Sequence, residues 1–412
     1  MLNTALRGVK VLDLSRILAG PWCTQNLADL GAEVVKVENP RSGDDTRGWG
    51  PPYLGDPADD AGFSAYFLAC NRGKRSIAIN FAAPEGAALV RRLAAQADVV
   101  VENYKTGTLE RYGLGSDDLR AVNPRLIHLS ITGFGPTGPM AGKPGYDYVF
   151  QGMGGMMSYT GRPDGDPGAG PLRAGVSVVD LTTGMYATSA VLAALLQREH
   201  TGEGQHIDLA LLDVAVALNA NQGSNYLVSG DVPQRLGNAH ANLAPYEVFA
   251  CADGHMILAI GNDSQFAAFC ALAGIPHLAQ DPRFTTNGAR LENLETLRPF
   301  VADAMAGRSR EEWGAELDAA KISWGPINDL ADVFADPQVL HRGLRITAEH
   351  PVAGTVPLVR NPLLAPGSTG EVKAPPLKGE HSTEILGELG LTADAVDSLV
   401  RAGVVAGVAM SA

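Results

Sequence analysis

The chain has 412 residues, 45% of them hydrophobic and 19% charged, with a formal net charge of −13. This is a globular balance, and the length asks for two domains or one domain with a large excursion. The acidic excess excludes an extended nucleic-acid surface, so an anionic ligand must rely on a few local cations and backbone amides.

Met1–Arg7 has no apolar signal core, and no stretch of about 18 purely apolar residues follows to span a bilayer. The first 135 residues then alternate between strand and helix patterns. Val9–Leu14 has β character, Pro21–Leu30 has helical spacing with Gly31 at the C-cap position, and Val34–Val37 reads as a second strand. Ser76–Asn80 (strand) and Pro84–Gln96 (helix, Pro84 in its first turn) repeat the pattern, and Asp98–Glu102 and Leu126–Thr132 complete the strands. Such alternation predicts crossover connections and an open Rossmann-like parallel sheet covered on both faces, an α/β fold. The turn after the first strand, Ser15-Arg16-Ile17-Leu18-Ala19-Gly20-Pro21, lacks the GxGxxG pattern, which argues against a dinucleotide there.

Residues 152–174 are rich in Gly, Asp and Pro and read as a mobile loop. Gly175–Gln197 reads as a long apolar helix, continued after the turn Thr201–Gly204 by a second helical stretch, Ile207–Ala220. Val248–Ile260, centred on Asp253-Gly254, reads as a β-hairpin, with helices at Asp263–Ala273 and Leu291–Ala306. A final helix is expected near Ala393–Ala402. The expected division is a large domain over 1–220, a smaller α+β domain over 221–330, and a return over 331–412 that packs on the large domain. The cysteines (Cys23, Cys70, Cys251, Cys270) form no CxxC or Cys/His cluster, so neither disulfides nor a metal is expected, and a cytoplasmic enzyme is the default.

Asp180 is the conspicuous acid of this chain, placed where a strand-like run turns into the long helix. An ionised carboxylate there is costly unless hydrogen-bonded or helped by a helix N-terminus. It reads either as an N-cap or as a catalytic group, and the two are compatible. Gly184, four residues on, costs about 1 kcal/mol inside a helix, and such a glycine often marks close approach by another chain or a ligand.

Several blocks occur in order: Leu12-Asp-Leu-Ser-Arg-Ile-Leu-Ala-Gly-Pro, Gly31-Ala-Glu-Val-Val-Lys-Val-Glu, Gly43-Asp-Asp-Thr-Arg-Gly-Trp, Asn71-Arg-Gly-Lys-Arg-Ser-Ile, Val101-Glu-Asn-Tyr, Gly133-Phe-Gly-Pro-Thr-Gly-Pro and the Asp180 segment. Together, from about residue 6 to about 380, they resemble the class III coenzyme A transferases, or CaiB/BaiF family. The resemblance implies that Asp180 attacks an acyl-CoA thioester, forming a mixed anhydride and then an aspartyl-CoA thioester that the acceptor carboxylate resolves. Such covalent catalysis needs no permanent cofactor and no metal, because donor and product thioesters are similar in energy; coenzyme A enters as substrate. It also implies an interlocked homodimer.

Family positions for coenzyme A fall on Leu18 and Ala19 (pantetheine), Asn80 (nucleotide), Asn103, Tyr104 and Lys105, with Arg111 as a phosphate-side cation. Two basic positions near the adenosine phosphate are Asn39 and Ala82 here, with Arg47 and Arg75 as possible substitutes. The related racemases have His where this chain has Tyr146, beside Asp147. A phenol of ordinary pKa about 10 suits proton exchange poorly, so transfer is expected over racemisation, and Tyr146 and Asp147 are taken as ligand-side residues. A non-catalytic acyl-CoA-binding protein is the remaining alternative. Ala239-His-Ala-Asn-Leu-Ala-Pro-Tyr lacks the glycine run of oxalate-using members. With Trp324-Gly-Pro-Ile-Asn it looks most similar to the succinyl-CoA:glutarate branch, in which His240 would bind the remote carboxylate of a dicarboxylic acid.

Overall fold

The computed structural model describes residues 2–56, 63–367 and 372–407. The chain forms two compact units, one from Met1–Gly154, Ala174–Leu218 and Pro337–Ala412, the other from Gly155–Arg173 and Asn219–Asp336. Residues 155–173, expected within the large domain, thus belong with the second unit.

In the first unit the elements that matter run β1 (Lys10–Asp13), α1 (Ala19–Asp29), β2 (Glu33–Glu38), β3 (Lys74–Ile79), α2 (Pro84–Ala95), β4 (Val99–Glu102), β5 (Ile127–Thr132), α3 (Asp147–Met153), α4 (Val178–Thr201), β6 (His206–Ala210) and α5 (Leu211–Ala217). The six strands are parallel in the order β3-β2-β1-β4-β5-β6, and Val405–Ala406 adds an antiparallel edge to β3. This is the doubly wound order whose direction reverses between β1 and β4. Alternating side chains send Val11, Val99, Val101 and Leu129 to one face, under Cys23 and Leu27 of α1 and Ala187 and Val191 of α4. Leu12, Ile77, Ile79 and Val100 go to the other, under Leu89 and Val90 of α2 and the C-terminal Ile385 and Leu386. The last segment therefore supplies part of the second helical layer.

The stretch Ile207–Ala220, expected as helix, begins instead as the edge strand β6, paired in register from His206 with His128 to Ala210 with Thr132. His206 and Asp208 point to solvent while Ile207 and Leu209 pack on the core, a period of two that the following apolar run conceals. Gly184 of α4 answers to α1: a Cβ there would lie 2.8 Å from the Ala19 carbonyl oxygen and 2.9 Å from Trp22. Helix α4 has the length and composition to cross a bilayer, yet its buried face also carries Thr183, Thr188 and Arg198, whose guanidinium pairs with Asp98 at 2.9 Å.

The second unit is built on an antiparallel sheet of β7 (Tyr246–Cys251), β8 (Gly254–Ala259) and β9 (Ser323–Pro326). Its core gathers Phe249, Met256, Phe266, Phe269 and Trp313. The segment read as a mobile loop forms a short helix, Met156–Tyr159, and a small hairpin, Gly161–Arg162 with Gly170–Pro171. The Arg235 guanidinium ties it together, donating to the Arg162 and Ser158 carbonyls and pairing with Asp164.

Candidate active site

A sheet that reverses its winding leaves a crevice where the flanking loops part, at the carboxyl ends of the central strands. Here the loops after β1 and β4 separate, and a cleft opens between them. It is lined by Arg16 to Ala19, Asn103 to Thr106, Ile131 to Gly135, Gly142 to Tyr146, Leu211 and Asp180. A second hollow continues past Arg16 and Tyr104, which line both, to Lys36, Asn39, Asn80, Phe81 and Ala82.

The turn that forms the near wall is strained. Ile17, β-branched, has φ of 71°, a conformation costing about 1–3 kcal/mol. Side chains hold it there: Asn103 accepts from the Arg16 amide at 2.8 Å and donates to the Arg16 carbonyl at 2.6 Å. The Ile17 amide donates to the Asp44 carboxylate at 3.3 Å, and Lys36 Nζ donates to the Ser15 carbonyl at 2.8 Å.

Beneath this turn lies a buried layer of paired charges. Lys74 meets Asp13 at 3.0 Å and Lys36 meets Asp44 at 2.8 Å, all four side chains at most 1% exposed. Burial alone would raise the Asp13 carboxyl, but Lys74, Lys36 and the hydroxyls of Ser15 and Thr24 overcome it and hold it at about 2. Burial opposes the charge on Lys36 as well, and Asp44, Asp13 and Glu38 outweigh it, so its pKa is raised.

Asp180 is treated differently. It is the third residue of α4, half-buried, and its carboxylate accepts no hydrogen bond among the described residues. Burial and then the neighbouring charge of Asp147 push it up to about 7. It is not the helix cap. Asp147, 6% exposed, performs that role through Oδ1, which accepts from the amides of Val179 at 2.7 Å and Asp180 at 3.0 Å. Asp147 was expected to meet substrate; its carboxylate is occupied by these amides and by Gln151, and it does not line the cleft.

Of the other residues singled out in the sequence, Leu18, Ala19, Asn103, Tyr104, Lys105 and Tyr146 converge on the cleft, and Asn80 lines the second hollow. Tyr146 precedes α3 and is exposed, its ring at the rim rather than in a core. Arg111 lies exposed on the turn Glu110–Tyr112 and lines neither hollow, because that turn presents it to solvent. Arg47 and Arg75 are committed elsewhere, to Glu38 at 2.7 Å and to Glu384 and Glu388 at 2.8 and 2.6 Å. His240 belongs to the second unit, where its ring stacks on Tyr246 at 5.0 Å and Nδ1 accepts from the Asn242 amide.

Three contributors escaped the sequence reading. Arg16 pairs with Asp45 at 3.1 Å and lies over the Tyr104 ring; its place in the first strand-to-helix turn was the available signal. Lys143 joins Lys105 as a cleft cation with no ion-pair partner among the described residues. Tyr66, on the helix Ala65–Cys70, lies near Asp180, and burial with that neighbouring charge pushes its phenol up.

A doubly wound sheet whose switch-point cleft is lined by Asp180, Arg16, Lys105 and Lys143 has the architecture of an α/β enzyme. The sequence profile of CoA-transferase family III matches residues 6–382, and the chain belongs to that family. It is 50% identical over 386 residues to succinate–glutarate CoA-transferase of Agrobacterium fabrum, covering 93% of this chain and 95% of the relative. It is 42% identical to human succinyl-CoA:glutarate CoA-transferase, over 97% of this chain and 90% of that protein. A crystal structure of a CaiB/BaiF family protein from Brucella suis superposes with a TM-score of 0.81 at 48% identity, covering 94% of this chain and all of the other. The family expectation drawn from the motif blocks is thereby confirmed, as is the α/β fold read from the alternation of strands and helices.

Proposed function

We propose that this chain transfers coenzyme A from succinyl-CoA to glutarate, with Asp180 as the nucleophile. The carrying observation is the Asp180 carboxylate itself, without a hydrogen-bond donor among the described residues, on the wall of a cleft that Lys105, Lys143 and Arg16 share. The names of the relatives in Agrobacterium fabrum and human support the pair of acids.

A carboxylate oxygen of Asp180 attacks the thioester carbonyl; the C–S bond breaks and the CoA thiolate leaves, giving a succinyl-aspartyl anhydride. The thiolate then attacks the aspartyl carbonyl, succinate departs, and an aspartyl-CoA thioester remains. Glutarate attacks that thioester, the thiolate is released again, and its attack on the glutaryl carbonyl of the new anhydride yields glutaryl-CoA and free Asp180. Each step exchanges one acyl bond for another, so no redox partner or nucleotide hydrolysis enters. The cleft's task is positioning, which makes a weak nucleophile effective by raising its local concentration. The cleft cations support binding of the anionic ligand in a chain of net charge −13.

Incubation with succinyl-CoA followed by intact-mass measurement tests this directly. The wild type is expected to gain a CoA-sized adduct, and Asp180→Ala to show none and lose at least about a thousandfold in turnover. Absence of exchange with glutarate or other five- or six-carbon diacids overturns the substrate assignment. A homodimer belongs to the same proposal, supported by the apolar Tyr148, Val149 and Met153 of α3 and Tyr186 and Leu196 of α4, all left exposed. Sedimentation measures it.

A further inference from the structure

Asp180 lies within the first turn of a helix of 24 residues. The first amides of a helix have no partner inside it, and its N-terminus carries partial positive charge. A carboxylate placed there would ordinarily collect those amides as hydrogen bonds, become a weaker base and lose nucleophilicity. In this protein the amides of Val179 and Asp180 are already taken, by Asp147 Oδ1 at 2.7 and 3.0 Å.

Asp147 is itself held. Its second oxygen accepts from Gln151 Nε2 at 2.5 Å. Gln151 in turn accepts from the Ala174 amide at 2.9 Å and donates to the Val176 carbonyl at 3.3 Å. One turn of α3 thereby fixes the segment that leads into α4. None of this reaches the cleft, since neither Asp147 nor Gln151 lines it.

We propose that Asp147 is a positioning residue for transfer at Asp180: it occupies the amides that start α4 and so leaves the Asp180 carboxylate bare and beside a second negative charge. This rests on the nucleophile reading of Asp180. The energetic logic is differential. Attack on the thioester converts the Asp180 carboxylate into a neutral anhydride and moves the charge to the departing thiolate. Repulsion from Asp147 is then present before the step and relieved after it. Among the described residues, the other ionisable groups near Asp180 are Tyr66 from the helix Ala65–Cys70 and, lining the same cleft, Arg16, Tyr104, Lys105, Lys143 and Tyr146. None of them occupies the helix amides.

The variant Asp147→Asn keeps an oxygen for both amides and removes the charge. The pH dependence of kcat/KM for succinyl-CoA is then decisive, because Asp180 must be ionised to attack. The wild-type acidic limb is expected near the value of about 7 set by burial and Asp147. In Asp147→Asn the limb should move down by about one pH unit or more. At pH 8, where Asp180 is ionised in both, kcat should fall about tenfold with KM changed less than about threefold. Asp147→Ser, a neutral side chain that also caps helices well, should show the same displacement and provides the readout if the Asn variant does not fold. An unmoved limb in a folded variant overturns the proposal, as does a loss of kcat that merely follows the folded fraction in a thermal melt. Wild-type protein that forms no CoA adduct sinks the nucleophile reading, and this inference with it. An adduct with an unmoved limb sinks only this one.

Discussion

Two carboxylates at the same side of the central sheet have opposite fates. Asp13, at the end of β1, is enclosed by Lys74, Lys36, Ser15 and Thr24, and is held at about 2. Asp180, at the start of α4, receives no donor among the described residues and faces Asp147, and is pushed to about 7. Burial acts in the same direction on both; what differs is the company each keeps. Where opposite charges and hydroxyls enclose an acid, the acid is scaffold: Asp13 holds the Ser15 amide and hydroxyl, just before the strained turn. An acid denied those partners by a neighbour that takes the helix amides first is left available for chemistry. In α/β enzymes, then, the pairing of a buried acid says more about its use than its depth.

The sharpest way to break the contrast is to remove a partner from the paired region. Lys74→Met leaves Asp13 buried without its nearest cation and is expected to cost about 3–5 kcal/mol, measured by urea denaturation. A loss below about 1 kcal/mol would mean that the charge layer is not what holds the turn.

Acid titration sharpens the same point more gently. Asp13 is lower in the folded chain than its ordinary 3.8. It therefore contributes stability above about pH 4 that disappears as the pH falls toward 2, on the order of 2 kcal/mol. An Asp13→Asn variant should lack that part of the acid transition.

Asp180 carries the reverse sign. Its folded value is raised, so ionisation costs stability above its ordinary 3.8, and the cost is complete only above about pH 7. Asp180→Asn should consequently melt higher than the wild type at pH 8, by about 1–2 kcal/mol after solvent screening, with the gap closing toward pH 4. Equal melting points at pH 8 would show that Asp180 is as comfortably ionised as a surface acid, and the contrast with Asp13 would fail.

Much of the first unit was legible in the residues because its signals are local. Apolar runs of strand length separated by helical spacing forecast β1, β2, β3, β4 and β5, and Pro84 and Gly31 marked helix ends where the structure has them. The strand β6 was not legible: His206–Ala210 is too short to show its alternation before the apolar helix that follows, and only pairing with β5 makes it a strand. Lys74 and Lys36 look like ordinary charged residues of a parallel strand, and nothing local reveals that both are buried. Arg111, Arg47 and Arg75 show the converse: a cation in a loop or strand has no address until its partner arrives from elsewhere in the chain.

By itself the sequence determined the doubly wound class of the first unit, the family, and Asp180 as the acid to watch, since periodicity and contiguous motifs are carried by neighbouring residues. Only the tertiary structure decided what surrounds that acid. The cap on α4 comes from Asp147, 33 residues before Asp180, and the closeness of α1 comes through Gly184. A pKa is set by charges and donors in space, which chain order does not record.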